Sequence, residues 1–76
     1  MPSARAHNRL HRSRYADFLV WLDEHGIPHR PGAGPWQIQQ VRWGRWVGIY
    51  ERASGNHLWF ADQLAGLVRQ FVKDRT

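Results

Sequence analysis

Five histidines, an acidic run and a glycine-rich segment are the places where this sequence could carry chemistry, and their spacing can be tested. His7 and His11 stand i, i+4, the separation that puts two imidazoles on one helix face for a metal ion. No H-E-x-x-H glutamate lies between them, and the surrounding tail has little helical periodicity. Asp23-Glu24-His25 is an acid/base cluster by composition only, because adjacent helical residues point in different directions and cannot converge on one substrate. The serines have no defensible triad partners. The absence of cysteine removes thiol nucleophiles, thiolate metal sites and disulfides together, and fits a reducing cytosol. Gly32-Ala33-Gly34 could bring backbone amides to an anion. A phosphate cradle needs G-x-x-x-x-G-K-[ST], or G-x-G-x-x-G between strand and helix, and this segment follows a helix. The reading is a non-enzymatic protein with no cofactor and no metal.

What remains is the chemistry of recognition. The stretch QVRWGRWVGIYER, Gln40 to Arg52, places two tryptophans, three arginines and two glycines in a chain of 76 residues. Tryptophan, tyrosine and arginine dominate binding energy at interfaces, and bases stack on aromatic faces. The net charge of +5 is concentrated at the start, where Arg5, Arg9, Arg12 and Arg14 come with no acid before Asp17. Such an arm attracts phosphate or an acidic protein surface, or is simply solvated. All but one of the eleven basic residues are arginine, suited to bidentate and stacked contacts.

These residues must be positioned by a single small domain, since a chain this short buries only about 60% of its unfolded surface. Its ten aromatic residues can supply much of a core. No apolar run approaches the roughly 18 residues of a membrane span, and no signal-peptide h-region is present, so a soluble cytoplasmic protein is expected. The first twelve residues are expected to be a flexible basic arm and 13–76 the domain. Tyr15, Phe18, Leu19 and Leu22 form a helical stripe, with Ser13 as N-cap, Gly26 in the left-handed C′ position, Ile27 reaching Leu22 and Pro28 blocking continuation. Pro28 to Pro35 is expected to be a loop. Trp36 to Trp43 reads as a strand whose alternation slips, implying a bulge near Gln39-Gln40. Gly44-Arg45 is a two-residue II′-type connection to a second strand, Trp46 to Arg52. Ala53 to Asn56 is a turn and His57 to Phe60 a third strand. Asp62 can cap a helix whose stripe is Leu64, Leu67, Val68, Phe71 and Val72. The expected fold is α+β, order α-β-β-β-α, with two helices on one face of a three-stranded antiparallel sheet.

With Val47 and Ile49 facing the helices, Trp46 and Tyr50 face away. A two-residue turn pairs Trp43 with Trp46 on that outer face, and Arg45 projects from the turn. The candidate binding residues are therefore Arg5, Arg9, Arg12, Arg42, Trp43, Arg45, Trp46 and Tyr50. The same pattern is compatible with a reversed register, or with the arm folded over these rings.

The α-β-β-β-α order over residues 14–76 resembles the double-stranded-RNA-binding domain, although ADQLAGL, Ala61 to Leu67, lacks that family's basic cluster at the start of helix two. HGIPHRPGAGPW is similar in its glycines to the HicA-type toxin ribonucleases but has Pro35-Trp36 where their catalytic histidine is expected. More broadly, DFLVWLDEHGIPHRPGAGPWQIQQV followed by WVGIY resembles short accessory proteins of bacteriophages and mobile elements, over most of residues 15–72. That resemblance implies a phage-type inhibitor acting in the bacterial cytoplasm on a host protein or nucleoprotein complex, CRISPR effectors included. The competing expectation is direct binding of RNA or single-stranded DNA, with no membrane partner.

Overall fold

The computed structural model describes residues 9–51 and 55–75. The described elements run β1 (Arg9–His11), α1 (Tyr15–Glu24), β2 (His29–Pro31), β3 (Gln37–Trp43), β4 (Arg45–Glu51), β5 (His57–Phe60) and α2 (Ala65–Asp74), with 3-10 turns at Arg12–Arg14 and Asp62–Leu64. The class is α+β, but the sheet has five antiparallel strands in the order β1-β5-β4-β3-β2. The three strands expected from the sequence are its centre. Both additional strands are three-residue edges, too short to show a period-two pattern. Pro31 lies at the end of the edge strand β2, where a missing ladder donor is tolerated.

Helix α1 ends as its sequence implies. Gly26 has φ +68°, its N–H donates to the Asp23 carbonyl at 3.1 Å, and the Ile27 N–H donates to the Leu22 carbonyl at 2.9 Å. This is the Schellman arrangement. The start differs, because Ser13 sits inside the 3-10 turn and donates its own N–H to Nδ1 of His11 at 3.1 Å. Asp62 likewise lies within the turn before α2, and Val72 is exposed.

Phe18, Trp21 and Leu22 of α1 and Leu67, Val68 and Phe71 of α2 join one core with Leu10, Val41, Val47, Ile49, Leu58 and Phe60 from the strands. Register places these strand residues on one sheet face, so both helices cover that face. Phe18 is at its centre, edge-on to Phe60 and Phe71 at 5.3 and 5.2 Å. Leu10 has important consequences for the domain boundary. It is buried in this core while Arg9, Leu10 and His11 pair with Trp59, Leu58 and His57. A boundary drawn at residue 12 therefore cuts through the domain. Charge alone suggested an arm there, and a single apolar residue among four arginines is too weak a signal to reveal a strand. Residues 1–8, including Arg5 and His7, lie outside the described residues, as do position 52, the end of the expected second strand, and positions 53 and 54 of the turn expected after it.

The β3–β4 register is centred on Gly44, with Trp43 opposite Arg45, Arg42 opposite Trp46 and Val41 opposite Val47. Gly44 alone separates the two strands and takes φ +82°. The expected Trp43–Trp46 pair is thus replaced by an Arg42–Trp46 pair. By alternation Trp43 falls on the Val41 side of the sheet, at its end and exposed. The bulge is real but lies earlier, between Gln37 and Gln39. It brings Gln37 and Gln40, three residues apart, onto the same face while Ile38 packs on the core.

Candidate functional site

The helix-free face of the sheet is built from residues opposite one another in register. One row crosses four strands as Arg9, Trp59, Tyr50 and Gln37. A second carries Gly48, Gln40 and Arg30, and a third Trp46 and Arg42. Alternation explains the set, since each is the neighbour of an inward residue such as Leu10, Ile49, Val47 or Val41. The arginines lie on the rings: Arg9 stands 5.5 Å from the Trp59 centroid and Arg30 4.0 Å from that of Trp46. Tyr50 is exposed, and Trp46 is half-buried beside Arg30. His11 and His57 meet edge-on at 5.2 Å at the β1–β5 end.

A chain of hydrogen bonds runs across this face. Arg30 Nε donates to Gln40 Oε1 at 2.7 Å, Gln40 Nε2 to Gln37 Oε1 at 2.7 Å, and Gln37 Nε2 to the Tyr50 hydroxyl at 3.2 Å. The Ala33 backbone N–H also donates to Gln37 Oε1, at 2.9 Å. Gly48 makes room for this chain: a Cβ there would stand 2.4 Å from Gln37 Nε2 and 2.9 Å from the Tyr50 hydroxyl.

The charges are segregated. All six acidic residues of the chain are among the described residues, and none lies on this face. Glu24 and Asp17 face Arg75 at 2.8 and 3.5 Å, and Asp74 accepts from the Trp21 indole at 3.0 Å. Asp23 bonds His29 at 2.9 Å, Asp62 belongs to the turn before α2, and Glu51 pairs with Arg12. The carboxylates thus occupy the helical layer and one sheet end, leaving Arg9, Arg30 and Arg42 with aromatic and amide neighbours on the other side.

Of the residues singled out from the sequence, the structure brings Arg9, Arg42, Trp46 and Tyr50 to this face. Arg45 and Trp43 sit at the hairpin end on the opposite parity, both exposed. Arg12 instead fastens the chain, pairing with Glu51, donating to the Gly55 carbonyl at 3.3 Å and giving its backbone N–H to Asn56 at 2.8 Å. Arg30, Gln37, Gln40 and Trp59 were missed. Trp59 was legible, since it alternates with Leu58 and Phe60, whereas Arg30 lies in a proline-rich segment and the glutamines depend on the bulge.

On the covered face His29 accepts at Nδ1 from Gln39 Nε2 at 2.7 Å and donates from Nε2 to Asp23. Both ring nitrogens are therefore engaged, and the Asp–His pair joins β2 to α1 with no nitrogen left to serve a substrate. Gln39 Oε1 receives the Tyr15 hydroxyl at 3.4 Å. Burial, followed by the charge of Glu51, raises the Tyr15 pKa above its ordinary value. Among the described residues no three His, Cys, Asp or Glu side chains gather as a metal site requires, and no helix is long and apolar enough to cross a membrane. Comparison with family models, curated proteins and solved structures yields no match to this chain.

Proposed function

We propose that this protein is a non-enzymatic binding module whose helix-free sheet face takes single-stranded nucleic acid, RNA or DNA. The observation that carries the reading is the segregation of charge: a face with three arginines and three aromatic rings on adjacent strands, from which every carboxylate is absent. Arginines neutralise phosphates and release counterions, while the exposed Tyr50 offers a ring face to unstacked bases and Trp46 and Trp59, with Arg30 and Arg9 over their rings, supply arginine–indole stacks to which a base can add. Trp46 and Tyr50 are four residues apart on β4, about 13 Å at strand rise, so the rings provide separated stacking positions rather than one patch. A duplex, whose bases are already stacked, has less use for such a face.

The test is fluorescence anisotropy of a labelled mixed-sequence octamer at low salt, with single-stranded and duplex forms. The expected result is binding of the single strand that weakens with salt and falls about tenfold in Trp46→Ala. Equal binding by parent and variant, both folded, would reject the face.

A second reading is favoured by Trp36 and Trp43, the former 55% and the latter 46% exposed near opposite ends of β3. Exposed tryptophans are anchors for protein partners. Together with the resemblance to phage accessory proteins, they support a cytoplasmic, anti-CRISPR-like inhibitor docking on a host protein or nucleoprotein complex. In that case Trp43→Ala, not Trp46→Ala, abolishes capture of the host complex after nuclease treatment.

A further inference from the structure

We infer that the sheet face discriminates among bases, preferring single strands whose bases carry a carbonyl at pyrimidine C4 or purine C6 over those carrying an amino group at that position. The inference rests on the nucleic-acid reading above and names the ligand more closely. It follows from the polarity of the hydrogen-bond chain, which is set at two points by groups that can only donate. Beside Tyr50 the Ala33 backbone N–H points at Gln37, so the amide oxygen of Gln37 must face it, at 2.9 Å. The Gln37 nitrogen then faces Tyr50, whose oxygen accepts at 3.2 Å. At the other end Arg30 Nε, a donor only, requires the oxygen of Gln40 at 2.7 Å, which turns the Gln40 nitrogen toward Gln37 Oε1, also at 2.7 Å. Two independent constraints give the same orientation throughout.

Each side-chain acceptor in this chain thus already takes a hydrogen from a neighbour; Gln37 Oε1 takes two, while Gln40 Oε1 and the Tyr50 oxygen keep one lone pair each. Donors outnumber these acceptor sites: the second amide hydrogen of Gln37, that of Gln40, the Tyr50 hydroxyl hydrogen and the terminal nitrogens of Arg30. Tyr50 is the exposed ring at the end of this row, so a base stacked on it lies beside these donors. The C4 carbonyl of uracil or thymine, or the C6 carbonyl of guanine, accepts from them. The C4 amino group of cytosine or the C6 amino group of adenine instead meets mostly hydrogens, and a desolvated donor facing a donor is costly. Phosphate contacts do not distinguish bases, so the preference must come from this row.

The experiment uses the full chain and homopolymer octamers of uridine and cytidine, with the deoxy pair of thymidine and deoxycytidine, read by anisotropy at one fixed low salt. Comparing pyrimidines with pyrimidines keeps ring size, and hence stacking, closely matched. The expected result is binding of the uridine and thymidine strands about tenfold tighter than their cytidine counterparts, a ratio typical of one well-placed base contact. Gln40→Leu, with melting confirming its fold, should bring the ratio toward one while leaving the salt slope unchanged; Arg42→Ala should weaken both strands equally. Preference in the ribose pair alone would support the inference for RNA. Binding of all strands with equal affinity would overturn the inference and leave the nucleic-acid face standing. Failure of every strand to bind would overturn that reading and this inference together.

Discussion

The guanidinium of Arg30 lies 4.0 Å from the centroid of the Trp46 ring, although the strands that carry them, β2 and β4, are separated by β3. The same guanidinium donates to Gln40 on the intervening strand, so one side chain from a three-residue edge joins the ring to the amide chain. Arg30→Ala should therefore weaken single-strand binding and reduce the magnitude of the log K against log salt slope by up to about 0.7. Stability should change by only about 1 kcal/mol, because the group is exposed and contributes one stacked contact and one exposed hydrogen bond. Arg30→Lys should recover the slope but not the full affinity, since an ammonium stacks poorly on indole. Titrations at several salt concentrations check all three, and an unchanged slope in Arg30→Ala would contradict the placement of this arginine at the ligand.

Leu10→Ala should cost about 2–5 kcal/mol, a large part of a stability on the order of 5 kcal/mol for a domain this small. The leucine is buried in the core although it sits among arginines. Urea unfolding checks it. A loss below about 0.5 kcal/mol would mean that β1 is not held in the sheet.

Gly48→Ala should separate folding from binding. The three atoms nearest the new Cβ would all belong to the ends of the Gln37 and Tyr50 side chains, which can swing away at little cost to the fold. Their hydrogen bond would break in doing so. Melting within a few degrees of the parent, with reduced base preference, is the expected outcome; loss of the fold would show that the close approach involves backbone.

What the sequence made legible was the part governed by local rules. The Gly26 cap, the inward Val47 and Ile49 and the stripe from Leu64 in the turn before α2 to Phe71 within it follow from helix and strand periodicity, and they place Trp46 and Tyr50 outward. The remainder depended on pairing between distant segments. Gly44 serves as a one-residue centre rather than the first of two turn residues, and that single difference moves Trp43 to the opposite side of the sheet. Arg30 reaches the face only because β2 pairs with β3, and Gln37 only because of the bulge, neither of which has a local signature.

Tyr15 yields a pH prediction. Its pKa is raised in the folded state, so its contribution to stability is fully present below pH of about 10, the ordinary tyrosine value, and is lost as pH rises through the folded value. Between the two values the unfolded phenol ionises first and pulls the equilibrium toward unfolding. Chemical unfolding of parent and Tyr15→Phe between pH 8 and about 11 should show a constant difference at the lower end and a steeper decline in the parent at the upper end. Parallel curves would rule out the shift.

The most direct measurement of the central claim uses the tryptophan indole N–H signals in a nitrogen-correlated NMR spectrum during titration with an unlabelled uridine octamer. Trp46 and Trp59 lie on the helix-free face, whereas Trp21 is buried between the helices and donates to Asp74. The account predicts that the Trp46 and Trp59 signals move together and saturate with the same affinity while Trp21 stays in place. Movement confined to Trp36, Trp43 or Trp21, or no movement at concentrations where the strand is in excess, would contradict it.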